Sequence, residues 1–198
     1  MPPGQNLPKE FVERKFNKLL PCALLVLCVA AVPESRAAEV VVAATRDGDV
    51  LLVEASAEFE GTLAQTWQVL TDYDNLARFI PNLSVSRVTA RSLEGITVEQ
   101  KGEARLLLFS FPIEVRLVVS ESPQTKVSSR AVAGNFREMS GTYVVDAQGG
   151  RVRLRYSGRI VPGFFVPPLI GTWLLRNNVE TTFNALVDEI VRRQQAPR

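Results

Sequence analysis

The side chains of this chain that could do chemistry are polar residues set among apolar ones on alternating segments. In 136–145, Met139, Tyr143 and Val145 share one face, while Glu138, Ser140 and Thr142 share the other; strict alternation places Arg137 with the apolar set. In 96–104, Gln100 falls among Ile96, Val98, Gly102 and Ala104. In 151–160, Tyr156 keeps company with Val152, Leu154 and Ile160. An inward guanidinium is costly unless paired, and inward carboxylates are scarce here. Arg137, Gln100, Tyr143 and Tyr156 are therefore candidates for the polar contacts of an otherwise apolar pocket, where they would orient a headgroup, a carbonyl or a phenol. Phe109, Phe111, Met139 and Trp173 are the apolar candidates for its lining. Two alternatives compete: Arg137 at a strand end reaching water, and the tyrosines as core filler with satisfied hydroxyls.

Other chemistry is excluded by what the chain lacks. It has no histidine, and its two cysteines, Cys22 and Cys28, both fall near the N-terminus. Beyond residue 37 that removes the usual general base, the thiol nucleophile and nearly every zinc or iron site. No glycine-rich phosphate loop and no nucleophile-elbow serine occurs. Asp72 and Asp74 read either as a carboxylate pair or as turn and cap residues. No catalytic residue, metal site or cofactor is expected.

The elements that must position the candidates are mostly strands. Residues 40–45 and 50–59 are β-branched runs joined through Arg46-Asp47-Gly48-Asp49, and Asp-Gly between apolar runs marks a hairpin. In the second run Leu51, Val53, Ala55, Ala57 and Phe59 form a dry face. Thr62 is placed to cap a helix with Leu63, Thr66, Trp67 and Leu70 at helical spacing. A second short helix, 76–80, is stopped by Pro81. Together they form a wedge able to hold a curved sheet open. Strands follow at 85–92, 96–104 and 106–119, with turns at 93–95 and near Arg105. Pro112 suggests a bulge or an edge in the third of these. Runs at 126–133, 136–145 and 151–160 complete the meander.

The chain then changes character. Residues 161–168 are an apolar loop with three prolines, followed by a helix over 169–193, about 40 Å long, with an apolar stripe of Leu175, Val179, Phe183, Leu186 and Ile190. Phe164 and Phe165, in a segment apolar on all sides, are either packed at the helix entry or exposed as a pocket lip touching a membrane. Arg151, Arg153, Arg155 and Arg159 line one face of the last strand; they suggest either an anionic-lipid ladder or cross-strand partners for Glu54 and Glu58.

Residues 1–37 read as an export signal: Arg14, Lys15 and Lys18 precede the apolar run 19–32, and Ser35 and Ala37 offer a cleavage site. The run is shorter than the roughly 20 residues of a spanning helix. An uncleaved anchor is the alternative. Five of 23 basic and three of 21 acidic residues precede Ala38, leaving 18 of each in a neutral domain, 38–198. That balance gives no footprint for nucleic acid.

Within this pattern, Trp67-x-Val69-Leu70-Thr71-Asp72-Tyr73-Asp74, Phe79-Ile80-Pro81-Asn82-Leu83 and Ser86-Arg87-Val88 form a recognisable block. Gly134-x-Phe136-Arg137-x-Met139-x-Gly141-x-Tyr143 and the proline-rich entry to the last helix follow it. The chain, from about Val50 to Arg193, resembles the polyketide cyclase/dehydrase and coenzyme-Q-binding START-domain families of the START-like (SRPBCC) superfamily. The resemblance implies an α+β helix-grip fold: a curved antiparallel sheet wrapped around the C-terminal helix, with a cavity between them. It further implies either non-catalytic binding or transport of a quinone, isoprenoid or phospholipid, or cyclase/dehydrase chemistry on a hydrophobic polyketone. A protein-interaction module with a filled interior is a third reading. The expected partners are a hydrophobic small molecule or lipid and, transiently, a membrane; the expected location is periplasmic or secreted.

Overall fold

The computed structural model describes residues 38–106 and 109–195, with side chains described for all of these except 105, 106, 109, 168 and 169. The export signal expected over 1–37 and the last three residues of the domain lie outside the described residues.

Eight antiparallel strands form one sheet in the order β1-β2-β8-β7-β6-β5-β4-β3. They are β1 (Glu39–Asp47), β2 (Val50–Glu60), β3 (Leu83–Ser92), β4 (Gly95–Leu106), β5 (Phe109–Ser122), β6 (Lys126–Gly134), β7 (Phe136–Gln148) and β8 (Arg151–Pro162). The sheet is highly curved and holds the long helix α2 (Pro168–Gln195) in its concave side. This is the expected helix-grip architecture.

Local chemistry accounts for the elements. Asp47 pairs with Val50, so the first hairpin turns on Gly48 and Asp49, and only Gly48 has positive φ, at 57°. The loop is thus one residue later than Asp-Gly alone suggests, and glycine occupies its first central position. Thr62 caps α1 (Leu63–Leu70), its Oγ1 accepting from the Gln65 amide at 3.3 Å. The second helix is a single 3-10 turn, Leu76–Arg78, shorter than expected because only two residues separate it from Pro81. β4 continues through Arg105 to Leu106, so the turn expected near Arg105 falls later. Pro112 pairs with Glu103 of β4, while pairing of β5 with β6 begins only at Val115, so the proline sits where its strand has one neighbour.

The wedge between β2 and β3 is pinned at several points. The Ser86 hydroxyl donates to the Tyr73 carbonyl at 2.5 Å, and Asp74 Oδ1 accepts from the Val88 amide at 2.7 Å. The Tyr73 hydroxyl donates to Glu121 Oε1 at 2.7 Å. Asp72 anchors the far end of α2: its Oδ2 accepts from Arg193 at 2.8 Å, and Arg193 also donates to Glu189, which Arg192 grips through both carboxylate oxygens. Asp72 and Asp74 are therefore structural ties to α2 and β3; Asp72 also accepts from Asn75 across the turn, but the expected cap is not formed, since Asn75 at the N-cap of the 3-10 turn makes no side-chain capping bond.

The hydrophobic interior has two main parts. In one, Val53, Ala55, Ala57 and Phe59 of β2 and Val152 and Leu154 of β8 meet Phe183, Leu186, Val187 and Ile190 of α2. In the other, Tyr73 packs with Val98, Val115, Leu117, Val119 and Val127. The arginines of β8 are cross-strand partners on both sides: Arg151 and Arg153 pair with Glu58 of β2, but Arg155 pairs with Asp146 and Arg159 with Glu138 of β7. Glu54 takes no part in these pairs, a correction to the expectation that β2 alone would serve them.

Candidate functional site

Sheet and helix do not close on each other everywhere. Members of both apolar clusters bound an internal cavity of about 300 Å³. Leu70, Tyr73, Leu76 and Ile80 of the wedge form one wall, and Val98, Val115, Leu117 and Val119 form the sheet side. Leu175, Val179 and Leu186 of α2 cover it. The wedge therefore stands where it keeps the helix off the sheet.

Tyr143 and Tyr156 both line the cavity, as cross-strand partners with ring centroids 4.6 Å apart, and both pack on Phe183. The sheet beside them is built to make room. Gly141 and Gly158 are also cross-strand partners, and a Cβ on either would come within 2.6 Å of the Tyr156 hydroxyl. The ring lies over a glycine pair that no other residue could supply without displacing it. Neither tyrosine hydroxyl has a hydrogen-bond partner among the described residues, and neither oxygen is sealed off as a buried orphan. Burial pushes both phenols up, Tyr156 to about 12 and Tyr143 further, its neighbour's oxygen adding to the effect. Both remain neutral hydrogen-bond donors across the physiological range.

Gln100 is inward and lines the cavity as expected, its Nε2 donating to the Ser86 hydroxyl at 3.4 Å. Phe111 and Met139 line it too. Phe109 lies on β5, but its side chain is outside the described residues.

Arg137 is not in the cavity. Its side chain is 57% exposed, Nη2 donates to Asp49 Oδ2 at 2.8 Å, and Nε donates to the Pro162 carbonyl at 3.2 Å. The cause is a register shift between Phe136 and Glu138 against β8. One extra residue in a strand breaks the two-residue period, so Phe136 and Met139 both point inward with Arg137 left in the bulge between them. Trp173 is a second correction. It is 51% exposed and faces away from the cavity, while Leu174 and Leu175 on the same helical turn face in.

The two expected lip residues divide. Phe164 lines the cavity, stacked on Phe111 and edge-on to Phe136, each at 6.0 Å between centroids. It lies just before the entry to α2. Phe165 beside it is 80% exposed.

Five polar lining residues have no counterpart among the sequence candidates: Asn82, Glu103 of β4, Ser129 of β6, and Asn178 and Thr182 of α2. The signal was present, since Asn178 and Thr182 interrupt the apolar stripe that carries Leu175, Val179 and Leu186. Among the described residues, no group of histidine, cysteine, aspartate or glutamate could hold a metal ion, and no helix is long and apolar enough to cross a membrane.

A sheet gripping a helix around an apolar cavity defines the START-like class. A family model described as polyketide cyclase / dehydrase and lipid transport matches residues 51–192, so the chain belongs to that family. Among solved structures, it is similar to a START superfamily protein from Mycobacterium smegmatis (TM-score 0.63, 13% identity, covering 72% of this chain and 98% of that one). It is also similar to the Zhui aromatase/cyclase from Streptomyces sp. R1128 (TM-score 0.60, 16% identity, 74% and 97% covered). A STAR-related lipid transfer protein from Xanthomonas axonopodis follows (TM-score 0.55, 11% identity, 76% and 98% covered). At these identities the likeness is one of fold. No curated protein sequence matches the chain. The family thus joins two activities on one architecture, hydrophobic-ligand binding and cyclase chemistry.

Proposed function

We propose that this chain binds and carries a hydrophobic molecule, without transforming it, in the cavity between sheet and α2. The observation that carries the reading is the cavity itself: about 300 Å³, walled mainly by aliphatic and aromatic side chains, with two neutral phenols that have no hydrogen-bond partner among the described residues. Ligand pockets run from about 300 to 1,000 Å³. A space at the lower end favours a quinone head, a short isoprenoid or a single acyl chain over a two-chain phospholipid. The phenols suit a ligand with an acceptor oxygen, such as a carbonyl. An interaction module with a filled interior is disfavoured by the same void.

The leader-like residues 1–37 support an exported, periplasmic or secreted carrier. Phe165 and Trp173, both largely exposed, support brief membrane contact at the entry to α2.

A cyclase reading draws on the same tyrosines, because two donors on one carbonyl could polarise it and orientation alone accelerates ring closure. The leader-like residues 1–37 argue against it, since carrier-bound polyketones are made inside cells.

The deciding experiment is native mass spectrometry, with lipid extraction, on protein purified from its own compartment. A co-purifying hydrophobic molecule released unchanged supports the carrier. Protein that is empty on isolation and takes up neither quinones nor single-chain lipids when these are added ends the proposal.

A further inference from the structure

Beside the cavity lies a second depression, of about 410 Å³, lined by Arg46, Asp49 and Arg137 together with the Phe164-Phe165-Val166 segment. It shares Leu51, Pro162, Phe164 and Val166 with the internal cavity, so the Phe164 ring stands between a polar groove and an apolar chamber.

The groove carries excess positive charge. Arg137 is ion-paired with Asp49; Arg46 makes no ion pair among the described residues, although its charge also acts on the Asp49 carboxylate. Arg46 Nε donates to the Gly48 carbonyl at 2.7 Å and Nη1 to the Val166 carbonyl at 3.3 Å, leaving Nη2 without a described partner. These carbonyl contacts hold the guanidinium in place without neutralising it. Arg46 also lies beside the start of α2, its Nη1 3.4 Å from where a side chain on Gly171 would begin. The first turn of α2 has no acidic residue. A cation beside the positive end of a helix is unfavourable unless an anion joins them.

Resting on the carrier reading, we infer that this groove is an anion subsite: Arg46 and Arg137 take the carboxylate or phosphate end of a single-chain amphiphile whose chain passes Phe164 into the cavity. Asp49 opposes the anion in part and holds Arg137 at the rim. The cargo is then an amphiphile with a charged end, and the chain enters tail first. A planar guanidinium with free N–H groups suits either oxyanion.

The test compares dodecanoate, dodecyl phosphate and uncharged 1-dodecanol by isothermal titration calorimetry at low salt. Either anion is expected to bind about tenfold tighter than the alcohol, as charge-assisted hydrogen bonds would give. Arg46→Gln should remove that preference and leave dodecanol affinity unchanged. Because Arg46 also steadies the loop, Arg137→Gln serves as a second variant at an exposed position. It should reduce the preference further than loss of one contact, since Asp49 then loses its ion-pair partner. Equal binding of all three amphiphiles, or an anion preference untouched in both variants, overturns the subsite and leaves the carrier reading standing. Failure of all three to bind overturns the subsite, and the carrier reading falls with it only if added quinones also fail to bind. If only one of the two anions is preferred, the subsite stands and its source is decided between carboxylate and phosphate.

Discussion

Tyr143 and Tyr156 stand opposite each other across β7 and β8, ring centroids 4.6 Å apart, over a sheet position where Gly141 faces Gly158. Tight aromatic packing on Phe183 fixes the rings, while their hydroxyls are left to whatever occupies the cavity. Stability and binding should therefore separate at these two residues.

Tyr143→Phe and Tyr156→Phe each remove a hydroxyl with no partner among the described residues, so thermal stability should hold or rise slightly. Affinity for a carbonyl-bearing ligand such as a short-chain ubiquinone should fall about five- to tenfold per variant, the worth of one hydrogen bond near 1 kcal/mol. Calorimetric titration beside a melting curve gives both numbers. A loss of stability with unchanged affinity would return the tyrosines to the role of core filler.

Gly141→Ala drives a methyl into the Tyr156 ring, whose hydroxyl is 2.6 Å from the new Cβ. The cost should be about 1–3 kcal/mol, in the range of overpacked cores. Shortening the ring in Gly141→Ala/Tyr156→Leu should recover part of it, a non-additivity that denaturant titration of the four proteins would measure.

Acid should loosen the end of α2. Glu189 is nearly buried and held by Arg192 and Arg193, and Arg192's donation leads in lowering its carboxyl from 4.5 to about 2. Burial works to raise the Asp72 carboxyl, but donation from Asn75 and Arg193 outweighs it and leaves it below its ordinary value. Both groups are more acidic folded than unfolded, so their stabilisation is complete above about pH 4.5 and is lost as pH falls towards 2. Glu189→Gln should flatten that acid limb in urea melts taken from pH 6 to pH 2. An unchanged slope would show that the cluster contributes nothing to the folded state.

Phe164 and Phe165 should behave oppositely despite being neighbours. Phe164→Ala removes the ring that rests on Phe111 and Phe136, so ligand association measured by stopped flow should accelerate and the protein should lose about 1–3 kcal/mol, less than a fully buried phenylalanine. Phe165→Asp, at an exposed position, should change stability by no more than about 0.5 kcal/mol. Co-sedimentation with phosphatidylcholine–phosphatidylglycerol vesicles should weaken in that variant; equal sedimentation would remove membrane contact from the proposal.

Much of the architecture is carried by local chemistry. The alternation of Leu51, Val53, Ala55, Ala57 and Phe59 appears unchanged as the buried face of β2, and Thr62 and Pro81 bound the wedge as their backbone preferences require. The α2 stripe of Phe183, Leu186 and Ile190 is buried as its spacing demands. Burial on one face repeats along a strand or helix, and that repetition is readable without coordinates.

The site was decided elsewhere. Arg137 leaves the interior because β7 carries one extra residue against β8, and a bulge there has no glycine or proline to announce it. Trp173 faces outward because the first turns of α2 meet the sheet through Leu174 and Leu175, a phase set by how the helix crosses its neighbours. Phe164 and Phe165 are alike as letters, and only the positions of Phe111 and Phe136, more than 25 residues away, choose which one turns in. The sequence by itself determined periodic faces, caps and the absence of histidine, and with them the class of fold and the kinds of chemistry left to it. Tyr143, Tyr156 and Gln100 were legible as inward polar residues and the resemblance implied a cavity, but whether those faces meet or stand apart depends on long-range register and helix placement, so the size of the cavity, the pairing of its phenols and the choice of Phe164 over Phe165 came from tertiary structure.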